Sequence, residues 1–231
     1  MQTRITVFGD SVALGCGYLD HKFTLLPTRA ATVVAEKRCA ELDNRSQIGQ
    51  TIRRLTQKKR IEQYLDELNP TKRNVAVLSV GGNDCDYLWQ EVAAAPLTAH
   101  PCKVEIEEFR TLYLDAIRKL QTRVPVFCVG CTPISPQWYY RRISEIADGA
   151  QVLRFLRGDV NAIGRRQEYY NALIRAMAEE TNATYLDARS AFLPLADFET
   201  FLCDDGIHLS EKGQQLLADS ILRQLTVPND F

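Results

Sequence analysis

The sequence predicts an α/β fold, a single doubly wound domain over 1–231 in which a five-stranded parallel sheet lies between two layers of helices. Three observations predict it. Short β-branched apolar runs alternate with longer stretches of helical period. The run from Val75 to Val80 is apolar almost throughout, as a strand covered on both faces has to be. No repeat, low-complexity tract or linker interrupts the alternation.

Strands are expected at 4–8, around 41–45, at 75–80, at 125–129 and at 184–187. Helices are expected at 28–40, 51–67, 104–121, 160–181 and 210–224, each opening near a cap or an acidic residue and closing before Pro, Gly or Asn. Ser210 is placed to cap the last helix, with Glu211 in its first turn complementing the dipole, so His208 falls in the loop just ahead. Two connections, 85–103 and 131–159, are longer than the alternation needs. Both follow carboxyl ends of strands, where open α/β sheets hold their ligands, and both are expected to form pocket walls.

A chain of 231 residues can bury a substantial core without disulfides or structural metal. Its 28 Lys and Arg balance 29 Asp and Glu, so the basic footprint of a nucleic-acid binder is missing. The cluster Arg53, Arg54, Lys58, Lys59 and Arg60 reads as the solvated face of a helix. Seven scattered cysteines suggest reduced thiols and a cytoplasmic location. Cys128 and Cys131 form a lone C-x-x-C without a second ligand pair, and the following Thr132-Pro133 cannot open a thioredoxin-type helix. A strand is expected within a few residues of Met1, so no signal peptide is expected, and no run approaches the roughly 18 apolar residues of a membrane span. Neither His-Glu-x-x-His nor a glycine-rich phosphate loop is present, so no metal and no cofactor is expected.

Three segments carry candidate chemistry, and each alone has a plainer reading. Gly9-Asp10-Ser11 ends the first strand, where a serine hydroxyl can project from the sheet edge or simply cap a turn. Gly81-Gly82-Asn83-Asp84 follows the third strand and is either a close backbone approach with an amide donor or an ordinary tight turn. Asp205-Gly206-Ile207-His208 sets a carboxylate three residues before an imidazole, so that one turn can join them and fix the tautomer of a base. The other histidines, His21 and His100, lack a carboxylate at such spacing. All three segments fall at the same edge of the expected sheet, which raises their joint weight. On the 131–159 connection, Trp138, Tyr139 and Arg141 suit stacking on a sugar or meeting an anionic group, or else form a lid packed by its own aromatics.

Gly9-Asp10-Ser11, Gly49, Gly81-Gly82-Asn83-Asp84 and Asp205-Gly206-Ile207-His208, in that order, resemble the four sequence blocks of the SGNH (GDSL-like) hydrolase superfamily. The resemblance implies a flavodoxin-like sheet with strand order 2-1-3-4-5. It implies Ser11 as nucleophile, His208 as base and Asp205 as its orienting carboxylate. It also implies an oxyanion hole from the backbone N–H groups of Ser11 and Gly49 and the amide of Asn83. Asp10 is a further candidate substrate contact beside Trp138, Tyr139 and Arg141. The first block ends in Val12 where the family has leucine, and a G-x-S-x-G elbow is absent, so the α/β-hydrolase pattern fits less well. The expected substrate is a small ester, such as the acetate of a sugar or of another small alcohol. Lysophospholipids, thioesters and transfer of the acyl group to an alcohol are the alternatives, and a non-catalytic binding protein of the same fold is a further one.

Overall fold

A computed structural model describes residues 1–225. In chain order its strands are β1 (Thr3–Gly9), β2 (Cys16–Leu19), β3 (Lys22–Leu25), β4 (Glu41–Asn44), β5 (Arg73–Ser79), β6 (Val126–Val129) and β7 (Thr184–Leu186). The helices are α1 (Ser11–Leu14), α2 (Ala30–Lys37), α3 (Ile52–Gln57), α4 (Arg60–Asp66), α5 (Trp89–Ala94), α6 (Ile106–Gln121), α7 (Pro136–Ser144), α8 (Gly149–Phe155), α9 (Asn161–Thr181) and α10 (Glu211–Gln224).

Five strands pair in parallel in the order β4-β1-β5-β6-β7. This is the expected 2-1-3-4-5 order, renumbered by an inserted hairpin. The period of two along each strand divides the core. Phe8, Ala76, Leu78, Val126 and Cys128 face α3, α4, α6 and α9, where Leu55, Tyr64, Phe109 and Ile174 cover them. Ile5, Val7, Val75, Val77 and Phe127 face the opposite way, onto Val34 of α2 and Leu217 of α10. Both faces are therefore dry, and a Leu- or Val-sized side chain buried there contributes about 1.5–3 kcal/mol relative to exposure.

Two expectations need correction. The single helix expected at 51–67 is two, α3 and α4, joined through Lys59 in the left-handed region at φ 49°. At about 100° per residue, Leu55 and Tyr64 would stand on opposite sides of a continuous helix. The break re-aims α4 so that both side chains enter one core. The second correction is the antiparallel hairpin β2–β3, in a stretch where no strand is expected above. Its two turn residues, Asp20 and His21, both take positive φ (48° and 60°), as a tight hairpin turn requires.

The long connections carry structure of their own. Tyr87, Trp89 and Val92 from 85–103 pack on Ile134, Ile143 and Val152 from 131–159 in a third apolar cluster above the sheet edge. Ser210 caps α10 through its Oγ, which accepts from Gly213 N at 3.3 Å. No helix among the described residues is long and apolar enough to cross a membrane.

Candidate active site

β1 ends at Gly9, and the Asp10 carboxylate caps α1 by accepting from Val12 N at 2.9 Å. The cap turns the chain sharply and sets Ser11, the first residue of α1, at the carboxyl edge of the sheet. Opposite it, the 202–209 segment closes on itself: Cys203 N donates to His208 O at 2.7 Å and Gly206 N to Cys203 O at 2.9 Å. Within that loop Asp205 Oδ1 accepts from Ile207 N (3.2 Å) and His208 N (3.1 Å), while Oδ2 meets His208 Nδ1 at 2.5 Å. On the other side of the ring, His208 Nε2 lies 2.8 Å from Ser11 Oγ. Three side chains separated by up to 197 positions thus form one buried line.

Burial pushes the Asp205 carboxyl up, but its bond to His208, the imidazole's charge and the two backbone N–H groups outweigh that and hold it below the usual range. An ionised carboxylate only accepts, so Nδ1 carries the hydrogen and Nε2 offers its lone pair to the serine hydroxyl. The arrangement can take a proton from Ser11 and hand it on. His21 and His100 stand elsewhere, the first 3.7 Å from Glu145 and the second bonded to Ala95 O at 2.9 Å.

The three donors expected from sequence, at Ser11, Gly49 and Asn83, line one cavity together with His208. Gly49 sits at φ 69°, a left-handed conformation that favours glycine, and a methyl group there would meet nothing within 4 Å. Its side toward the cavity is open. The N–H groups of Ser11 and Gly49 meet no acceptor among the described residues. Asn83 Nδ2 reaches Asp10 Oδ2 at 3.4 Å, so Asp10 braces an amide as well as a helix end.

Asp84 ties two of these segments together. Its Oδ1 accepts from Ile52 N at 2.8 Å, linking the Asn83 turn to the start of α3 just beyond Gly49, while its Oδ2 has no partner. Burial, with Asp10's charge nearby, raises its carboxyl to about 7. Unfolded, the group titrates near 4, so between about 4 and 7 the folded chain holds more protons and stability falls as pH rises. Asp84→Asn keeps the acceptor for Ile52 N and removes that loss. Its melting temperature is expected to exceed the wild type's by a margin that is small near pH 5 and wider at pH 8. An equal margin at both would contradict this role.

The cavity measures about 260 Å³ and continues past Ser11 between the two long connections and the first turns of α9. Tyr139 lines it, its hydroxyl donating to Asp86 Oδ2 at 2.9 Å. Trp138 and Arg141 do not. They share the other face of α7, at i and i+3, with the guanidinium 5.7 Å from the indole centroid. Trp138 instead backs the acid–base loop: a methyl group on Gly206 (φ 74°) would come within 2.7 Å of Trp138 Cβ and of Tyr139 N. Arg141 borders a shallow outer hollow with Tyr18 and Asp204.

Sequence reading missed Phe23 of β3, whose ring packs edge-on against His208 at 5.2 Å and lines the cavity. It also missed Asp86, Lys103, Arg166 and Gln167 on the far wall. The one available signal was position: Asp86 and Trp89 directly follow the Gly-Gly-Asn-Asp turn, and Trp89 Nε1 donates to Asp86 Oδ1 at 2.8 Å. Cys128 and Cys131 are free thiols that burial pushes up to about 12.

Comparison with known proteins bears on the fold and the family. The GDSL esterase/lipase WDL1 of Oryza sativa subsp. japonica is 24% identical over 217 residues, covering 93% of this chain and 76% of that protein. A catalytic mutant of Axe2, an acetylxylan esterase from Geobacillus stearothermophilus, shares the fold with a TM-score of 0.67 at 19% identity, over 98% of this chain and 96% of that one. A lipase/acylhydrolase from Enterococcus faecalis does so with a TM-score of 0.65 at 17% identity, over 97% and 95%. A model of the GDSL-like lipase/acylhydrolase family matches residues 7–216. With that match running from the first strand into the last helix, the chain belongs to the GDSL-like lipase/acylhydrolase family.

Proposed function

We propose that this hydrolase cleaves carboxylic esters through an acyl-serine intermediate. Ser11 Oγ attacks the carbonyl carbon as its proton passes to His208 Nε2. The C–O bond to the alcohol then breaks, and the imidazolium protonates the leaving oxygen. Water repeats the sequence in reverse and releases the acid. The N–H groups of Ser11 and Gly49 and the Asn83 amide serve as donors to the oxyanion, each worth on the order of a hundredfold in rate. Asp205 holds the ring and its tautomer. The observation that carries this reading is the unbroken Asp205–His208–Ser11 line, with links of 2.5 and 2.8 Å.

Water is the acceptor and a short acyl group, acetyl first, the acyl part. The cavity of about 260 Å³ supports this, falling below the roughly 300–1,000 Å³ of pockets that hold drug-sized ligands. A sugar is a fitting alcohol half, in line with the acetylxylan esterase of similar fold. A series of para-nitrophenyl esters tests the acyl size. From acetyl to octanoyl, kcat/KM is expected to fall at least about tenfold, since one excess methylene in a closed pocket is worth on the order of 1 kcal/mol or more. A rate that climbs with chain length would reject the short-acyl assignment. A fluorophosphonate probe should label wild-type protein at Ser11, and absence of labelling would reject the serine mechanism.

A further inference from the structure

The far wall of the cavity is a wall of donors. α9 carries three arginines, and two have carboxylate partners: Arg165 with Asp159 at 2.7 Å and Arg175 with Glu179 at 3.0 Å. Arg166, the one that lines the cavity, has no carboxylate at ion-pair distance among the described residues. It is nevertheless held in place. One Nη donates to Cys102 Sγ at 3.0 Å, and the guanidinium lies over the Tyr87 ring, 4.6 Å from its centroid. Both partners are buried. A planar fork fixed by its face and one edge retains free N–H groups in a geometry that matches a carboxylate.

The next residue adds a second donor. Gln167 is 7% exposed and lines the same cavity. Its Oε1 accepts from Arg189 Nη1 at 2.9 Å. A guanidinium only donates, so the amide orientation is settled, and the NH₂ group is left with no acceptor among the described residues. The carboxylate on this wall, Asp86, does not oppose an anion: Lys103, Trp89 and Tyr139 all donate to it, at 2.7, 2.8 and 2.9 Å. A half-buried cation without a counter-ion and a buried amide without an acceptor, adjacent in one cavity, call for a ligand that supplies both.

We infer that Arg166 and Gln167 form a substrate subsite for a carboxylate, so that the preferred ester carries an anionic group at the end remote from the scissile bond. The inference rests on the ester-hydrolase reading above and specifies its substrate class. The carboxylate can belong to either half of the ester, and matched pairs distinguish them. Para-nitrophenyl hemisuccinate against para-nitrophenyl butyrate places it on the acyl half. Para-acetoxybenzoate against phenyl acetate places it on the alcohol half.

In at least one pair the anionic ester is expected to have the higher kcat/KM, expressed mainly in KM. That preference should drop by about tenfold to a hundredfold in Arg166→Ala, the range for charge-assisted hydrogen bonds. Arg166→Gln, which keeps the packing stem and removes the charge, should show the same drop, and serves if the alanine variant fails to fold. Arg166→Lys should retain part of the preference. The inference is overturned if neither anionic ester is preferred by wild type, or if the preference survives in Arg166→Gln. Should none of the four esters be hydrolysed, the hydrolase reading fails and the subsite is judged separately by calorimetric titration with glutarate. Binding by wild type that is lost in Arg166→Gln supports it, while no binding, or equal binding, overturns it.

Discussion

Ser11→Ala is expected to lower kcat by about six orders of magnitude toward any ester the wild type hydrolyses, leaving only what orientation and the oxyanion donors supply. The size of the effect follows from the surroundings. A substitute nucleophile would have to share the cavity, and the nearby thiol of Cys131 is pushed by burial up to about 12, so it stays protonated near neutrality. The variant should fold. Ser11 Oγ bonds to His208 alone, and losing one such link shifts stability by about 1 kcal/mol. Single-turnover kinetics with a chromogenic acetate, alongside a thermal melt, provides the check. Retention of more than about a hundredth of the wild-type rate by a folded Ser11→Ala protein would reject the acyl-serine route.

Asp205→Asn is expected to reduce kcat by about four orders of magnitude while preserving the loop. Asparagine can still accept through one oxygen from Ile207 N and His208 N, so the turn survives. The atom opposite Nδ1 becomes a donor, however, and the ring answers by moving its hydrogen to Nε2. His208 then donates to Ser11 and cannot take its proton. Nitrogen NMR of the imidazole should report the exchanged tautomer, and an unchanged tautomer with wild-type kcat would reject the role. Stability carries the same signature. Because the Asp205 carboxyl lies below its ordinary value in the folded chain, its contribution is present above about pH 4 and disappears as pH falls through the depressed value. The stability gap between wild type and Asp205→Asn should accordingly be widest near neutrality and close in acid.

What the sequence disclosed and what it hid follow from how burial marks a chain. β5 was legible because both its faces are dry, which demands an uninterrupted apolar run such as Val75 to Leu78. The hairpin was not, since β3 is exposed along its whole length and its turn is Asp20-His21, without the glycine that marks such turns. The break at Lys59 stayed hidden because the sequence there is helix-forming on both sides and only the shared core forces the bend. Ser11 and Asn83 were legible as short motifs at strand ends, and Asp205 and His208 as a motif just ahead of the last helix. Arg166 and Gln167 lie within a long helix among other charged residues, where nothing in the spacing separates a cavity-facing arginine from a solvated one. Trp138 and Arg141 illustrate the opposite error, a suggestive composition that the helical step turns away from the cavity.

The seat of the acid–base loop has one more consequence. Ser135 N donates to Gly206 O at 2.8 Å, its hydroxyl bonds to Glu199, and Gly206 has no room for even a methyl group beneath α7. The outer helices and the imidazole's support are thereby welded into one piece. Swapping the 136–155 stretch for that of a related protein would tilt His208 out of line unless 199–206 were exchanged with it. Productive chimeras should be cut so that both stretches come from the same parent.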